Sequence, residues 1–289
     1  MDPLIAYRYL IDPDEVREAL AAFADQPIIG LDTETFWDYS TRQNRLSLLQ
    51  LAAPTGEVVV IDALAAGMEE TRSLIENPAA LMAAHNANFD YEVLRQAGFA
   101  VEGLIDTLRL ARRTLRLRSF SLASVSEHLL GLTLDKSLQK SDWRPRPLSR
   151  EQLNYAALDA QVALRVYQEL TSRLEQEGRL AFELRRARIA PPTGQTSDSV
   201  DAPSRRRSPA LPRPLTAEER QLVEKLRLWR TEVAEREQIP PYLICHDRTF
   251  EHLVMARPST IEELAQIFGL GPVKIAKYGA ELLSQLTRD

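Results

Sequence analysis

The sequence predicts an α/β fold over residues 1–189, a mixed sheet flanked by helices, followed by a small all-α domain over residues 215–289. Three observations carry this. Runs of strand-type residues, "PIIGLDTE", "RLSLLQLA" and "EVVVIDAL", lie close together early in the chain, separated by loops and turns. From about Asn88 onward apolar residues recur at three- and four-residue spacing, the period of a helix with one buried face. Between them and the last helices, residues 190–214 read "APPTGQTSDSVDAPSRRRSPALPRP". Nothing in that stretch can bury a core, so it is expected to be a disordered linker.

Taken in order, the three strand runs form a meander, and "ALMAAHN" reads as a further buried strand leading into a helix near Asn88. Helical spacing then covers Asp106 to Arg118, Ser121 to Leu130 and Arg150 to Glu177. A meander followed by mixed strands and helices implies a sheet with helices packed on it. In the C-terminal part, Leu215 to Glu237 is amphipathic and opens on "TAEE", where Thr216 can cap and Glu219 sits three residues on. Pro240-Pro241 ends that helix. Shorter helices are expected around Asp247 to Met255, Thr260 to Phe268 and Pro272 to Thr287, with Ser259 or Thr260 as a cap. A bundle of this kind in about 75 residues is a compact module.

The chain has 289 residues, 44% of them hydrophobic, which is ample for packed cores. Its longest apolar stretches, such as "EVVVIDALAAG", are short and carry acids, so no segment of about 20 apolar residues is expected to span a bilayer. From "MDPLIAYRYL" no export signal is expected, and the single Cys245 excludes an internal disulfide; a cytoplasmic location is the expectation from both. The net charge is -5. By segment, residues 1–189 hold 22 basic against 27 acidic residues, 190–214 hold 4 against 2, and 215–289 hold 10 against 12. This overall acidity does not exclude a nucleic-acid partner, because a site built from carboxylates adds negative charge that a bound cation offsets.

Acids are placed where strands end or helices expose one face. In "IIGLDTETFWD", alternation sends Asp32 and Glu34 to the same side and the Thr33 side chain to the other, where it is expected to support the strand. In "HNANFDYEVL", Asp90 falls in the first turn of its helix. In "LNYAALDAQVAL", Tyr155 and Asp159 are four apart and share a helical face. Each piece alone reads blandly: a polar strand end, an acid favoured by a helix N-terminus, a surface pair. Jointly they describe four carboxylates converging on one point. Left empty, such a cluster resists ionisation. Hard divalent cations resolve this, and oxygen-only ligation suits Mg²⁺ or Mn²⁺. Two such ions about 4 Å apart form the clamp used in phosphodiester cleavage, with Tyr155 placed to orient or deprotonate the attacking water.

The order "LDTE", "HNANFD", "YAALD", with "LIDTLRLAR" and "LGLTLDKSLQKSDWRPRPLSREQLNYAALD" between, resembles the bacterial ribonuclease D family of DEDD 3′–5′ exonucleases, whose fold is ribonuclease H-like. The tyrosine marks the DEDDy subclass. The resemblance implies that Asp32, Glu34, Asp90 and Asp159 hold two divalent metal ions, Asp32 bridging, and that Tyr155 positions the water. It further implies release of nucleoside 5′-monophosphates from RNA 3′ ends, tRNA precursors being the expected substrate, by a cytoplasmic monomer without an organic cofactor. His85 and Asn86 are implied near the terminal nucleotide, although His85 also reads as a satisfied strand-end histidine. Lys136 and Trp143 are candidate contacts to phosphate and to base or sugar, with Trp143 equally readable as core. Arg109, Arg112, Arg113 and Arg116 form either a phosphate-tracking strip or a solvated helix face. Residues 215–289 resemble an HRDC domain, most tellingly in "GLGPVKIAKYG", where Lys274 and Lys277 flank a helix start able to receive a phosphate.

Rival readings are a DNA exonuclease using the same site, since contacts to the 2′-OH are not legible, and a nucleic-acid-binding adaptor in which the HRDC module does the work. A phosphatase with Asp32 as nucleophile is disfavoured, because Glu34 stands where an acid-base Asp is expected.

Overall fold

Short Val-, Ile- and Leu-rich runs build six strands: β1 (Arg8–Leu10), β2 (Ile29–Asp38), β3 (Gln43–Ala52), β4 (Val58–Asp62), β5 (Met82–Ala84) and β6 (Leu104–Asp106). They form one sheet in the order β1-β4-β3-β2-β5-β6, with β2, β3 and β4 antiparallel and the outer pairings parallel. Around it run α1 (Pro13–Leu20), α2 (Arg72–Ile75), α3 (Asn88–Gln96), α4 (Thr107–Thr114), α5 (Leu122–Leu130), α6 (Arg150–Gln176) and α7 (Leu180–Ala187). The computed structural model describes residues 4–41, 43–189, 213–237, 239 and 241–287. The chain divides into two units, 1–195 and 196–289. The expected linker lies outside the described residues apart from its last two positions.

The sheet register decides which side chains meet. Asp32 stands opposite Gln50 and Gln50 opposite Val60, while Glu34 pairs with Leu48 and Leu48 with Asp62. Direct cross-strand partners share a face. Gly30, Asp32 and Glu34 therefore look the same way as Leu48, Gln50, Val60 and Asp62. The apolar members of that face pack with Ala156, Ala157, Ala160 and Leu164 of α6. The opposite face, with Leu31, Leu49, Leu51 and Ile61, packs against α1 and α3 through Val16, Leu20, Val93 and Leu94.

α6 comes unusually close to β2. A Cβ added at Gly30 would lie 2.3 Å from the Ala160 carbonyl oxygen and 2.8 Å from Leu164 Cβ. Only glycine fits, and only small residues on that turn of α6 allow the approach. The helix is begun by a capping box, in which the Ser149 hydroxyl accepts from the Gln152 N–H and the Gln152 side chain accepts from the Ser149 N–H.

A polar clamp holds the segment before α6 to the sheet. Asp62 is fully buried at the end of β4 and accepts from Arg146 Nε at 2.5 Å, Arg146 Nη2 at 2.8 Å, the Leu64 N–H at 3.0 Å and the Tyr9 hydroxyl. Arg146 also donates to the Trp143 carbonyl at 2.9 Å and to Ser47 Oγ at 3.0 Å. Burial alone would push the Asp62 carboxyl up, but the Arg146 and Tyr9 hydrogen bonds outweigh it and hold the group below the usual carboxylate range.

Several elements differ from expectation. The helix expected from Asp106 begins one residue later, because Asp106 ends β6 and caps α4 by accepting from the Leu108 N–H. α4 stops at Thr114, where Leu115 turns extended and buries in the core. β1, α1 and α7 were not anticipated; each is eight residues or shorter, too brief for periodicity to reveal.

The C-terminal unit comprises α8 (Ala217–Glu237), α9 (Pro241–Ile244), α10 (Asp247–Ala256), α11 (Ile261–Leu264) and α12 (Pro272–Thr287). Its core centres on Trp229, which meets Phe250 and Tyr278 edge-on. Thr216 and Glu219 form the expected reciprocal cap, with Thr260 capping α11. α11 is a single turn ending at Leu264, shorter than the helix expected to Phe268; turns follow it as far as Gly269, which has φ 88° and lies against Thr249. Among the described residues, no helix is long and apolar enough to cross a membrane.

Two outcomes follow for stability. Gly30→Ala is expected to cost about 1–3 kcal/mol by overpacking, read as a lowered denaturant midpoint. Asp62→Asn is expected to cost about 3–5 kcal/mol at neutral pH by uncoupling Arg146. Because the folded-state carboxyl of Asp62 is held low, its contribution is present above about pH 4 and lost as pH falls further. The difference between wild type and Asp62→Asn should therefore shrink below pH 4 in equilibrium unfolding.

Candidate active site

The β2–α6 contact brings the acids together. One carboxylate oxygen each from Asp32, Glu34 and Asp159 lies within 4.8 Å of the others. All three residues keep some exposed surface, so the cluster is reachable from solvent. Asp90, in the first turn of α3, stands behind it and is buried. The Tyr155 hydroxyl, one turn before Asp159, is hydrogen-bonded to that carboxylate.

Electrostatics in this corner are strained in one direction. Burial, followed by the charges of Asp90, Asp159 and Glu34, pushes the Asp32 carboxyl well above its ordinary range. Glu34 is pushed up by burial and then by Asp159 and Asp90. Asp90 is pushed up to about 7, mainly by burial, against the hydrogen bond from Thr33. Burial and the charges of Asp159 and Glu34 likewise keep the Tyr155 hydroxyl protonated far above neutral pH. Each carboxylate destabilises the next. The donor set is all oxygen, within one small volume, and fits a hard divalent cation rather than zinc.

Two supporting residues were not found by sequence reasoning. Thr33, whose side chain was expected to support its strand, donates its buried hydroxyl to Asp90 Oδ1 at 2.7 Å and so orients that acid. Asp106 is buried and accepts the Asn86 N–H at 3.0 Å, fixing the turn in which Asn86 takes a left-handed φ of 66°. The signal for Asp106 was a strand-end aspartate before a helix; nothing in the sequence marked Thr33.

The expected substrate contacts separate into two groups. Asn86 and Lys136 are exposed, and Lys136 Nζ donates to Ser121 Oγ at 3.1 Å. His85 is engaged on both ring nitrogens, by Thr107 Oγ1 and the Phe120 carbonyl, each at 2.9 Å, so it presents no free polar edge. Trp143 is 2% exposed and packs its ring 6.2 Å from that of Tyr155, which fits the core reading of the two the sequence left open. Its backbone is held there by the Arg146 clamp. Of the arginine strip, Arg109 donates to Asn88 and the Arg188 carbonyl at the surface, while Arg113 pairs with buried Glu183. In the C-terminal unit Lys277 stays exposed and pairs with Glu237 at 2.6 Å.

Residues 7–175 match the model of a 3′–5′ exonuclease family, and residues 219–286 match an HRDC domain. The chain is 32% identical over 264 residues to a ribonuclease D of Acidiphilium cryptum, covering 89% of this chain and 66% of that protein. It is 30% identical over 256 residues to a ribonuclease D of Gluconacetobacter diazotrophicus, covering 85% of this chain and 62% of that one. It thus spans less than two thirds of the length of these relatives. In fold it is similar to Escherichia coli RNase D, described as an exoribonuclease involved in structured RNA processing, with TM-score 0.56 and 24% identity over 98% of this chain and 74% of that one. The chain belongs to the 3′–5′ exonuclease family, with a ribonuclease H-like exonuclease unit and a C-terminal HRDC domain.

Proposed function

We propose that the protein is a metal-dependent 3′–5′ exoribonuclease that trims the 3′ ends of structured RNA, tRNA precursors among them, releasing nucleoside 5′-monophosphates. The observation that carries this is the convergence of Asp32, Glu34 and Asp159 oxygens within 4.8 Å, with Tyr155 on Asp159 and Asp90 behind. Asp32, Glu34, Asp90 and Asp159 would hold two divalent cations, Mg²⁺ or Mn²⁺. Bound there, the cations supply the positive charge that a phosphodiester's attacking and leaving oxygens require.

The chain's own residues do the rest. The four acids fix where positive charge sits relative to the scissile bond. Tyr155, one turn before Asp159 on α6, orients the attacking water. Thr33 holds Asp90, and Asp106 holds the turn that presents Asn86. Asn86 and Lys136, both exposed, would meet the terminal nucleotide and its phosphate. Domain limits of 1–189 and 215–289, a monomeric state and a cytoplasmic location belong to the same reading.

A time course on a 3′-extended tRNA tests it. Wild type should shorten the RNA one nucleotide at a time, and a chelator should abolish this. Tyr155→Phe is expected to slow the rate by about 10²–10⁴-fold. Thr33→Val, which loses only the hydrogen bond to Asp90, is expected to slow it by about 10–100-fold. Matched DNA and RNA oligonucleotides digested in parallel should show RNA preferred. Internal fragments, or activity that survives chelation, would refute the mechanism.

A further inference from the structure

Gln50 lies in the middle of β3 and is 0% exposed, and neither Nε2 nor Oε1 of its amide has a hydrogen-bond partner among the described residues. A buried amide without partners is costly, and interiors rarely keep one without a use for it. The register shows what surrounds it. Along its own strand the same-face neighbours are Leu48 and Ala52; across one edge stands Val60 and across the other Asp32. Asp32 is thus the one polar side chain among these direct neighbours. Directly opposed residues hold their Cβ atoms about 4.5–5.5 Å apart, within the reach of a glutamine amide for a carboxylate.

We infer that Gln50 is a positioning residue for Asp32, its amide N–H donating to the Asp32 carboxylate oxygen when a divalent cation holds that carboxylate. The inference rests on the reading of the acidic cluster as a cation site. A carboxylate that ligates a metal is itself oriented by hydrogen bonds from the protein, and loss of such a bond weakens metal binding. A leucine or methionine here would bury no unpaired polar atom beside Leu48, Ala52 and Val60. The amide carries a cost in the cation-free protein that is recovered only when Asp32 is drawn into place. The competing partner is Trp143 Nε1, a second buried donor without a partner in the same core. An amide serving Trp143 alone would leave the cation site untouched.

The test is calorimetric titration of the full-length protein with Mn²⁺, together with denaturant unfolding in chelator, for wild type, Gln50→Met, Gln50→Leu and the control Leu48→Met. Expected is an increase of about 10–100-fold in the Mn²⁺ Kd for both Gln50 variants, with stability in chelator equal to wild type or higher, and no change of affinity for Leu48→Met. Unchanged affinity in the Gln50 variants, with wild type binding Mn²⁺, overturns the inference and leaves the cation site standing. Lowered affinity and lowered stability together also overturn it, because Gln50 would then be structural. Failure of wild type to bind Mn²⁺ overturns the inference along with the reading of the site.

Discussion

Everything at this site depends on how closely α6 lies on β2. A carboxylate on a strand and one on a helix meet only if the backbones nearly touch, and Gly30 under Ala160 provides that contact. The small residues Ala156, Ala157 and Ala160 make the approach possible, and the same turns of the helix carry Tyr155 and Asp159. Packing of apolar surface against the face of Leu48 and Val60 supplies the favourable term, at roughly 25 cal/mol per Å² buried. That term opposes the mutual repulsion of Asp32, Glu34, Asp90 and Asp159. The site is thus an electrostatically unfavourable arrangement held by the hydrophobic core beneath it.

The second tier of the structure keeps this arrangement in register. The Asp62–Arg146 clamp anchors the segment ahead of α6 and, through the Trp143 carbonyl, sets the indole against Tyr155. Thr33 and Asp106 perform the same service for Asp90 and Asn86. These groups do no chemistry. They convert a helix start and a strand end into fixed positions for side chains that do.

Much of the site was legible in the sequence, because its chemistry uses local spacings: i, i+2 on β2 for Asp32 and Glu34, and i, i+4 on α6 for Tyr155 and Asp159. The longer strands and α6 were legible for the same reason, their periodicity running over many residues. What escaped was non-local. No spacing tells that Asp62 will find Arg146 across 84 residues, or Thr33 find Asp90 across 57. Trp143 and His85 look alike in sequence whether they face a ligand or a core, and burial and partners supply what composition does not. The C-terminal unit shows the same limit, since no spacing tells that Lys277 meets Glu237 across 40 residues.

The claim that organises this account is that the crowded acids await positive charge. Denaturant unfolding of the full-length protein, with and without Mn²⁺, compared with Asp32→Asn, tests it most directly. A cation at one hundred times its Kd should stabilise wild type by about 2.7 kcal/mol. Asp32→Asn, relieved of one like charge, should be at least as stable as wild type in chelator and gain little from Mn²⁺. Equal stability of wild type with and without the ion, or a variant less stable than wild type in chelator, would contradict it.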